Sequence, residues 1–296
     1  MASLKQQSLD FLENTLLPSP KVFLLGTLVV LLLPVLVHIV IVRSSPYTSP
    51  PTILLAGPQA AGKTALVTKL ERGGEPAQTH TSQRIHTVEL TSPSSAASRA
   101  NLERALKDKE SKHTKFLLVD IPGHGKLRAK ALARFSPNSL AEAKAKAVVF
   151  AVDAAALSDQ DYLSGAATYL YDILLALQKR TAGIKTSKIP AAIPVLVAAN
   201  KGDLFTALPA ALVRSTLEGE ISRVRASRSK GLLDSGVGGD EVGGEEADAW
   251  LGAYGTEKFG FDQMREFNVD VEVVGGNVLG EGAGVDKWWK WMADKI

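Results

Sequence analysis

Cysteine is missing from the 296-residue chain, which excludes disulfides and thiolate metal sites and suits a domain facing the cytosol. A dominant charge is missing too. Lysine and arginine number 34 against 31 aspartates and glutamates, so nothing global points to nucleic acid, and no direct nucleic-acid binding is expected. The length admits one large domain or two small ones. One further absence is local: no formal charge occurs across 22–42, between Lys21 and Arg43. At about 1.5 Å per residue, a helix over that run reaches across the hydrocarbon core of a bilayer. Gly26 and Pro34 are tolerated in spanning helices, and His38 fits a neutral side chain near the interface. A cleaved signal peptide has a shorter apolar core closer to the N-terminus, so the run is read as an uncleaved single-pass anchor in the lipid bilayer. Residues 1–21 then form a short N-terminal segment, and 43–51, with its prolines and serines, an extended linker. Flanking charge barely decides orientation, with Lys5 and Lys21 on one side and Arg43 on the other.

What is present is a strong motif at the start of the remaining domain, 52–296. Gly57-Pro58-Gln59-Ala60-Ala61-Gly62-Lys63-Thr64 fits G-x-x-x-x-G-K-[S/T] at each fixed position. It lies between a strand-like run, 52–56, and a helix that begins near Ala65. A loop in that setting aims several backbone N–H groups at one point, and the helix dipole adds partial positive charge. Gly57 and Gly62 let the backbone approach a phosphate, Lys63 reaches the β- and γ-phosphates, and the Thr64 hydroxyl can ligate Mg²⁺. The segment is a phosphate cradle.

Further motifs follow in order. Thr79-His80-Thr81-Ser82 sits where a mobile loop would bring a hydroxyl to Mg²⁺, and either threonine can serve. A strand over 83–91 alternates in apolar character, and 92–115 reads as a variable hairpin extension. The apolar strand 116–119 delivers Asp120, followed by Ile121-Pro122-Gly123-His124. Asp120 can hold Mg²⁺ through water, and the Gly123 N–H can sense a γ-phosphate. A buried strand over 147–152 and a helix over 159–179 come next, the latter with core residues at helical spacing. The strand 193–199 delivers Asn200-Lys201-Gly202-Asp203. In N-K-x-D the aspartate accepts from N1–H and N2–H₂ of guanine, a donor pair that adenine lacks. The Lys201 stem can cover the base, and Asn200 can tie this loop to the cradle.

A helix is expected over 207–226, and the glycine-rich, acidic stretch 227–249 reads as a flexible insertion. A sixth strand spans 269–274, and Gly275-Gly276 after it can offer an N–H to the guanine O6. Val285, Trp288, Met292 and Ile296 fall on one face of a last helix that should dock on the sheet. The whole is an α/β P-loop small-GTPase fold: six mostly parallel strands, helices on both faces, and one transmembrane helix before them.

GPQAAGKT, THTS, DIPGH and NKGD, in this order behind an N-terminal anchor, resemble the beta-subunit family of the signal recognition particle receptor, Ras-like GTPases related to the Arf and Sar types. The resemblance covers roughly 20–296 apart from the two insertions. It implies GTP and Mg²⁺ as ligands, with phosphate contacts along Gly57, Pro58, Gln59, Ala60, Ala61, Gly62, Lys63, Thr64 and Ala65. It implies switch contacts at Thr79, His80, Thr81 and Ser82, with Thr81 preferred for Mg²⁺ beside Thr64 and Asp120. Gly123 would meet the γ-phosphate, while Asn200, Lys201, Asp203 and Gly276 would meet guanine. The sequence departs from the usual serine-alanine-lysine loop at Gly275-Gly276-Asn277. His124 stands where many GTPases carry a water-orienting glutamine, which implies catalysis that is slow or dependent on a partner.

The resemblance further implies a protein of the endoplasmic reticulum membrane with its GTPase domain cytosolic and residues 1–21 lumenal. Its GTP form would recruit the receptor's alpha subunit, through that subunit's N-terminal domain, to the switch regions. The ribosome and translocon would be engaged indirectly. Two other classes fit the same motifs: an Arf/Sar-like membrane-traffic GTPase, and a structural anchor that holds GTP permanently.

Overall fold

A computed structural model describes residues 20–44, 50–73, 79–92, 114–182, 191–234, 250–252, 258–280 and 284–296. The chain divides into two units, Met1–Ser49 and Pro50–Ile296. In the first, α1 (Pro20–Ser44) is one continuous helix of 25 residues with Pro34 inside it. No helix among the described residues is long and apolar enough to cross a membrane. The uncharged run 22–42 extends at both ends into positions whose side chains lie outside the description. Residues 1–19, and 45–49 of the expected linker, lie outside the described residues as well.

The second unit is built on a six-stranded sheet. Its strands are β1 (Thr52–Ala56), β2 (His86–Ser92), β3 (Thr114–Asp120), β4 (Ala145–Asp153), β5 (Val195–Asn200) and β6 (Val271–Gly275). Their spatial order is β2-β3-β1-β4-β5-β6. All neighbouring pairs are parallel except β2 with β3, which run antiparallel with Ser92 opposite Thr114. The intervening 93–113, most of the expected hairpin extension, lies outside the described residues.

Both faces of the sheet are covered, which is why β1, β4 and β5 read as continuous apolar runs. Side chains alternate across the plane. Leu54, Phe150 and Val197 face one cluster, against Leu170 and Leu174 of α5 (Gln160–Ala182) and Leu217 of α6 (Ala210–Asp234). Ile53, Val149 and Leu196 face the other, against Leu66 and Val67 of α2 (Lys63–Arg72) and Trp288 and Met292 of α7 (Gly284–Asp294). The expected docking of the last helix is therefore met: Trp288 and Met292 are fully buried. Between β3 and β4 lie the short helices α3 (Arg128–Ala133) and α4 (Pro137–Glu142).

One boundary differs from expectation. The stretch 227–249 was expected to be flexible from its start, yet α6 continues to Asp234. Tertiary contacts carry the extra turns. Arg228 pairs with Asp172 of α5 at 2.7 Å and its guanidinium lies 4.4 Å from the Tyr171 ring centre. One turn earlier, Arg225 lies 4.5 Å from the Trp250 ring centre. Residues 235–249 lie outside the described residues.

Parallel order brings the chemistry to one edge. In register, Leu55 sits opposite Asp120, Asp153 opposite Asn200, and Ala199 opposite Gly275. The C-terminal ends of five strands thus meet on one side of the sheet, where ligands of open α/β folds bind.

Candidate functional site

The cradle joins β1 to α2, and its backbone explains its glycines. Gly57 has φ +139°, and a Cβ there would fall 2.1 Å from the Ala151 carbonyl oxygen on β4. Gly62 has φ +86° and caps α2 without any side-chain hydrogen bond to the helix. The first N–H groups of α2 therefore have no side-chain acceptor, which suits an anion. Ala61 and Ala65 are buried beneath the loop, whereas Gln59 and Ala60 are exposed. The Lys63 ammonium donates to the Gly57 and Pro58 carbonyls at 2.9 and 2.7 Å. Burial lowers its pKa to about 8, against a raising influence from Asp120.

A cavity of about 300 Å³ opens over this loop, lined by Gln59, Ala60, Gly62, Lys63, Thr64, Thr79, His80, Thr81, Ser82 and Gly123. The predicted switch residues therefore gather around the cradle. Gln59 Nε2 donates to Thr81 Oγ1 at 3.4 Å, and Ser82 Oγ donates to the Arg84 carbonyl. Gly123 closes in from the other side. A Cβ there would lie 2.4 Å from the Gly57 oxygen and 2.5 Å from Lys63 Nζ.

At the floor, Thr64 Oγ1 donates to Asp120 Oδ2 at 3.0 Å. The second carboxylate oxygen, Asp120 Oδ1, is buried and has no partner. Burial pushes the Asp120 carboxyl above its usual range, while Thr64, Lys63 and His86 pull it down. A buried, unsatisfied carboxylate oxygen beside a hydroxyl is a donor set for a hard cation. Among the described residues no cluster of three His, Cys, Asp or Glu could hold a metal. A cation here would thus complete its shell with phosphate oxygens and water, as Mg²⁺ commonly does.

The second half of the site lies at the ends of β5 and β6. Asn200 Nδ2 donates to the Ala61 carbonyl at 2.8 Å, so this loop is tied to the cradle as expected. Lys201 adopts φ +63° and pairs with Asp153 at 2.5 Å. Asp153 is itself fixed, its Oδ1 accepting from the Ala155 and Ala156 N–H groups. The Asp203 carboxylate is exposed beside Gly280, where a Cβ would come within 3.2 Å of Asp203 Oδ2. The two loops interlock, the Gly202 N–H donating to the Gly276 carbonyl at 3.0 Å. Such an arrangement gathers backbone amides, an ammonium and a hydroxyl–carboxylate pair at the cradle, donors and acceptors that suit phosphates, and sets a separate carboxylate at the Asn200–Asp203 loop.

A family model described as the signal recognition particle receptor beta subunit matches residues 48–269. The chain belongs to that family. Signal recognition particle receptor subunit beta of Saccharomyces cerevisiae is 29% identical over 249 residues, which cover 83% of this chain and 84% of the yeast protein. The Mus musculus subunit is 33% identical over 181 residues, covering 60% of this chain and 57% of the mouse protein. Among solved structures, the SRb-GTP/SRX complex from Chaetomium thermophilum matches with 42% identity and a TM-score of 0.67, over 83% of this chain and all of that one.

Within this beta-subunit-family fold, two expectations meet different geometry. The Gly276 N–H, expected to reach a guanine O6, already donates to the Ala199 carbonyl at 2.9 Å, extending the β5–β6 ladder. Gly276 is small for packing: a Cβ there would lie 2.7 Å from the Gly284 oxygen and 2.9 Å from Trp288 Cζ2. His124 is not among the residues lining the cavity. It caps the 3₁₀ turn Gly125–Leu127, its Nδ1 accepting from the Lys126 N–H at 3.2 Å. Asp153 closes β4 and belongs to none of the motifs. Its alignment beside Asn200 was the missing signal, and that register exists only in the folded sheet.

Proposed function

We propose that this chain is the membrane-anchored, GTP-binding subunit of a signal recognition particle receptor. The observation that carries the reading is the Thr64–Asp120 pair with its unsatisfied Asp120 Oδ1, set directly beneath Lys63 and Gly123. Relatives solved as GTP and GDP-Mg forms support guanine nucleotide and Mg²⁺ as the ligands. Residues Gly57 to Ala65 hold the phosphates, Lys63 neutralises their charge, and Thr64, Asp120 and Thr79 or Thr81 hold Mg²⁺. Bound GTP·Mg²⁺ supplies the γ-phosphate charge that orders the surrounding loops. Asn200, Lys201 and Asp203 read the base, with Gly276 shaping the turn behind it.

Gly123 and the 79–82 loop meet over the cradle, and their order decides whether a partner docks. The receptor's alpha subunit, through its N-terminal domain, is that partner; a relative solved in complex with SRX supports the assignment. Helix α1 anchors the chain through 22–42 in the endoplasmic reticulum membrane, with 52–296 cytosolic and 1–21 lumenal. Docking there serves co-translational targeting, and thereby the ribosome and translocon. His124 leaves its capping position to orient water when the partner is bound, so hydrolysis without the partner is slow.

Chromatography of nucleotide released from the purified chain should yield guanine nucleotide, and Lys63→Ala should retain at least about 100-fold less, because charge-assisted phosphate contacts vanish. Full retention by Lys63→Ala would refute the cradle assignment. Calorimetry with the alpha subunit's N-terminal domain should show tight binding only to the GTP form. Equal affinity for empty, GDP and GTP forms would leave a constitutive anchor.

A further inference from the structure

Lys69 lies in the last turn of α2, the helix whose N-terminus forms the cradle, and no motif includes it. Its Nζ donates to the Val278 carbonyl at 2.5 Å, across 209 residues of sequence. Val278 is buried, and its N–H donates to Asn200 Oδ1 at 3.0 Å. Asn200 in turn donates to Ala61 of the cradle. The contacts close a ring: cradle, Asn200, Val278, Lys69 and back along α2 to the cradle. Both backbone polar groups of one buried residue are therefore held by side chains from the two ligand-binding loops' own elements. The segment so held, 276–280, also packs against Asp203 through Gly280. It overlaps Gly275-Gly276-Asn277, where the sequence departs from the usual serine-alanine-lysine loop.

We infer that Lys69 is a positioning residue for base recognition: it clamps the 276–280 loop to the phosphate-binding helix, so that the Asp203 edge stays in place while nucleotide is bound. The inference rests on the guanine-nucleotide reading above. The ammonium suits this task because it is a compact multiple donor on a flexible stem, and a carbonyl accepts a charge-assisted bond strongly. Asn200 holds the Val278 N–H, and Lys69 holds the Val278 carbonyl.

The test uses the full chain and a fluorescent GDP. Lys69→Met keeps the apolar stem and removes the donors. It should speed GDP release about tenfold, the size of one lost charge-assisted hydrogen bond, with association changed little. Preference for GDP over inosine diphosphate, which lacks the amino group facing Asp203, should fall several-fold. Lys69→Arg should restore both values to within about threefold. A merely structural role would lower the melting temperature without moving the GDP-to-inosine ratio. Should Lys69→Met fail to fold, Lys69→Gln, which keeps an uncharged amide donor, should give the same changes at smaller size. Release and base preference within twofold of the parent, in a protein that binds GDP, would overturn the clamp alone. A parent chain that binds no guanine nucleotide would overturn the clamp and the function together.

Discussion

The cradle end and the Asn200–Asp203 end of the site, proposed for phosphate and base, are built in opposite ways. At the cradle end, one continuous octapeptide supplies the glycines, the lysine and the hydroxyl, and Asp120, Gly123, Ala151 and Asn200 approach it from outside. At the other end, Asn200 and Lys201 are held by groups far away in sequence, Ala61, Val278 and Asp153, and the neighbouring 276–280 loop by Lys69 and Trp288. The difference follows from the ligand chemistry each end suits. Phosphate oxygens accept from backbone amides, which any short loop on a helix N-terminus can supply. A planar ring read along its edge needs two loops set at a fixed separation, and only packing can set it.

That contrast is sharpest where packing is removed. Trp288 is fully buried, its Nε1 donates to the Val274 carbonyl, and its ring abuts Gly276. Trp288→Ala should destabilise folding by about 3–5 kcal/mol, read by denaturant unfolding, and should weaken base discrimination in whatever protein remains folded. Loss of stability below about 1 kcal/mol would mean that α7 contributes little to this end. Next in size is Asp203→Asn. An amide inverts half of the donor pattern, so preference should move from GTP toward xanthosine triphosphate by about 100-fold or more, measured by competition binding. Unchanged preference would assign base reading elsewhere.

The smallest effect is expected at Asp153→Asn. The amide keeps an Oδ1 acceptor for Ala155 and Ala156 and removes only the charge opposite Lys201. The lysine is about a third exposed, 35%, so solvent screens the pair and the contribution is modest. Nucleotide release should quicken about threefold to fivefold, within the range of one partly screened ion pair. Lys201→Met should quicken release as well, and the double variant should add little, because both changes remove the same contact.

Much of the architecture was legible before folding. The strand runs were continuous and apolar because both faces of the sheet are covered, so β1, β4 and β5 stood out without alternation. Asp120 and Asn200 could be placed at strand ends because each ends an apolar run. Other boundaries were hidden. The Ser227 to Asp234 stretch looks like the start of a loop by composition, and it is helical because Arg228 meets Asp172 and Tyr171 on α5. The Gly276 N–H looked available for a ligand, and the β5–β6 ladder takes it. His124 carried the expected chemistry by position, yet its ring is engaged by the local backbone of the 3₁₀ turn.

By itself, the sequence determined the order of elements, the glycine-lysine cradle and the placing of Asp120 at a strand end, because each depends on residues adjacent in the chain or on a periodicity within one element. Tertiary structure alone decided which side chains hold the base-side loops, since Lys69 and Val278, or Asp153 and Lys201, meet only after parallel strands align their C-terminal ends. Short-range chemistry is written in spacing. Long-range support arises from register and packing, and these are properties of the sheet rather than of any segment within it.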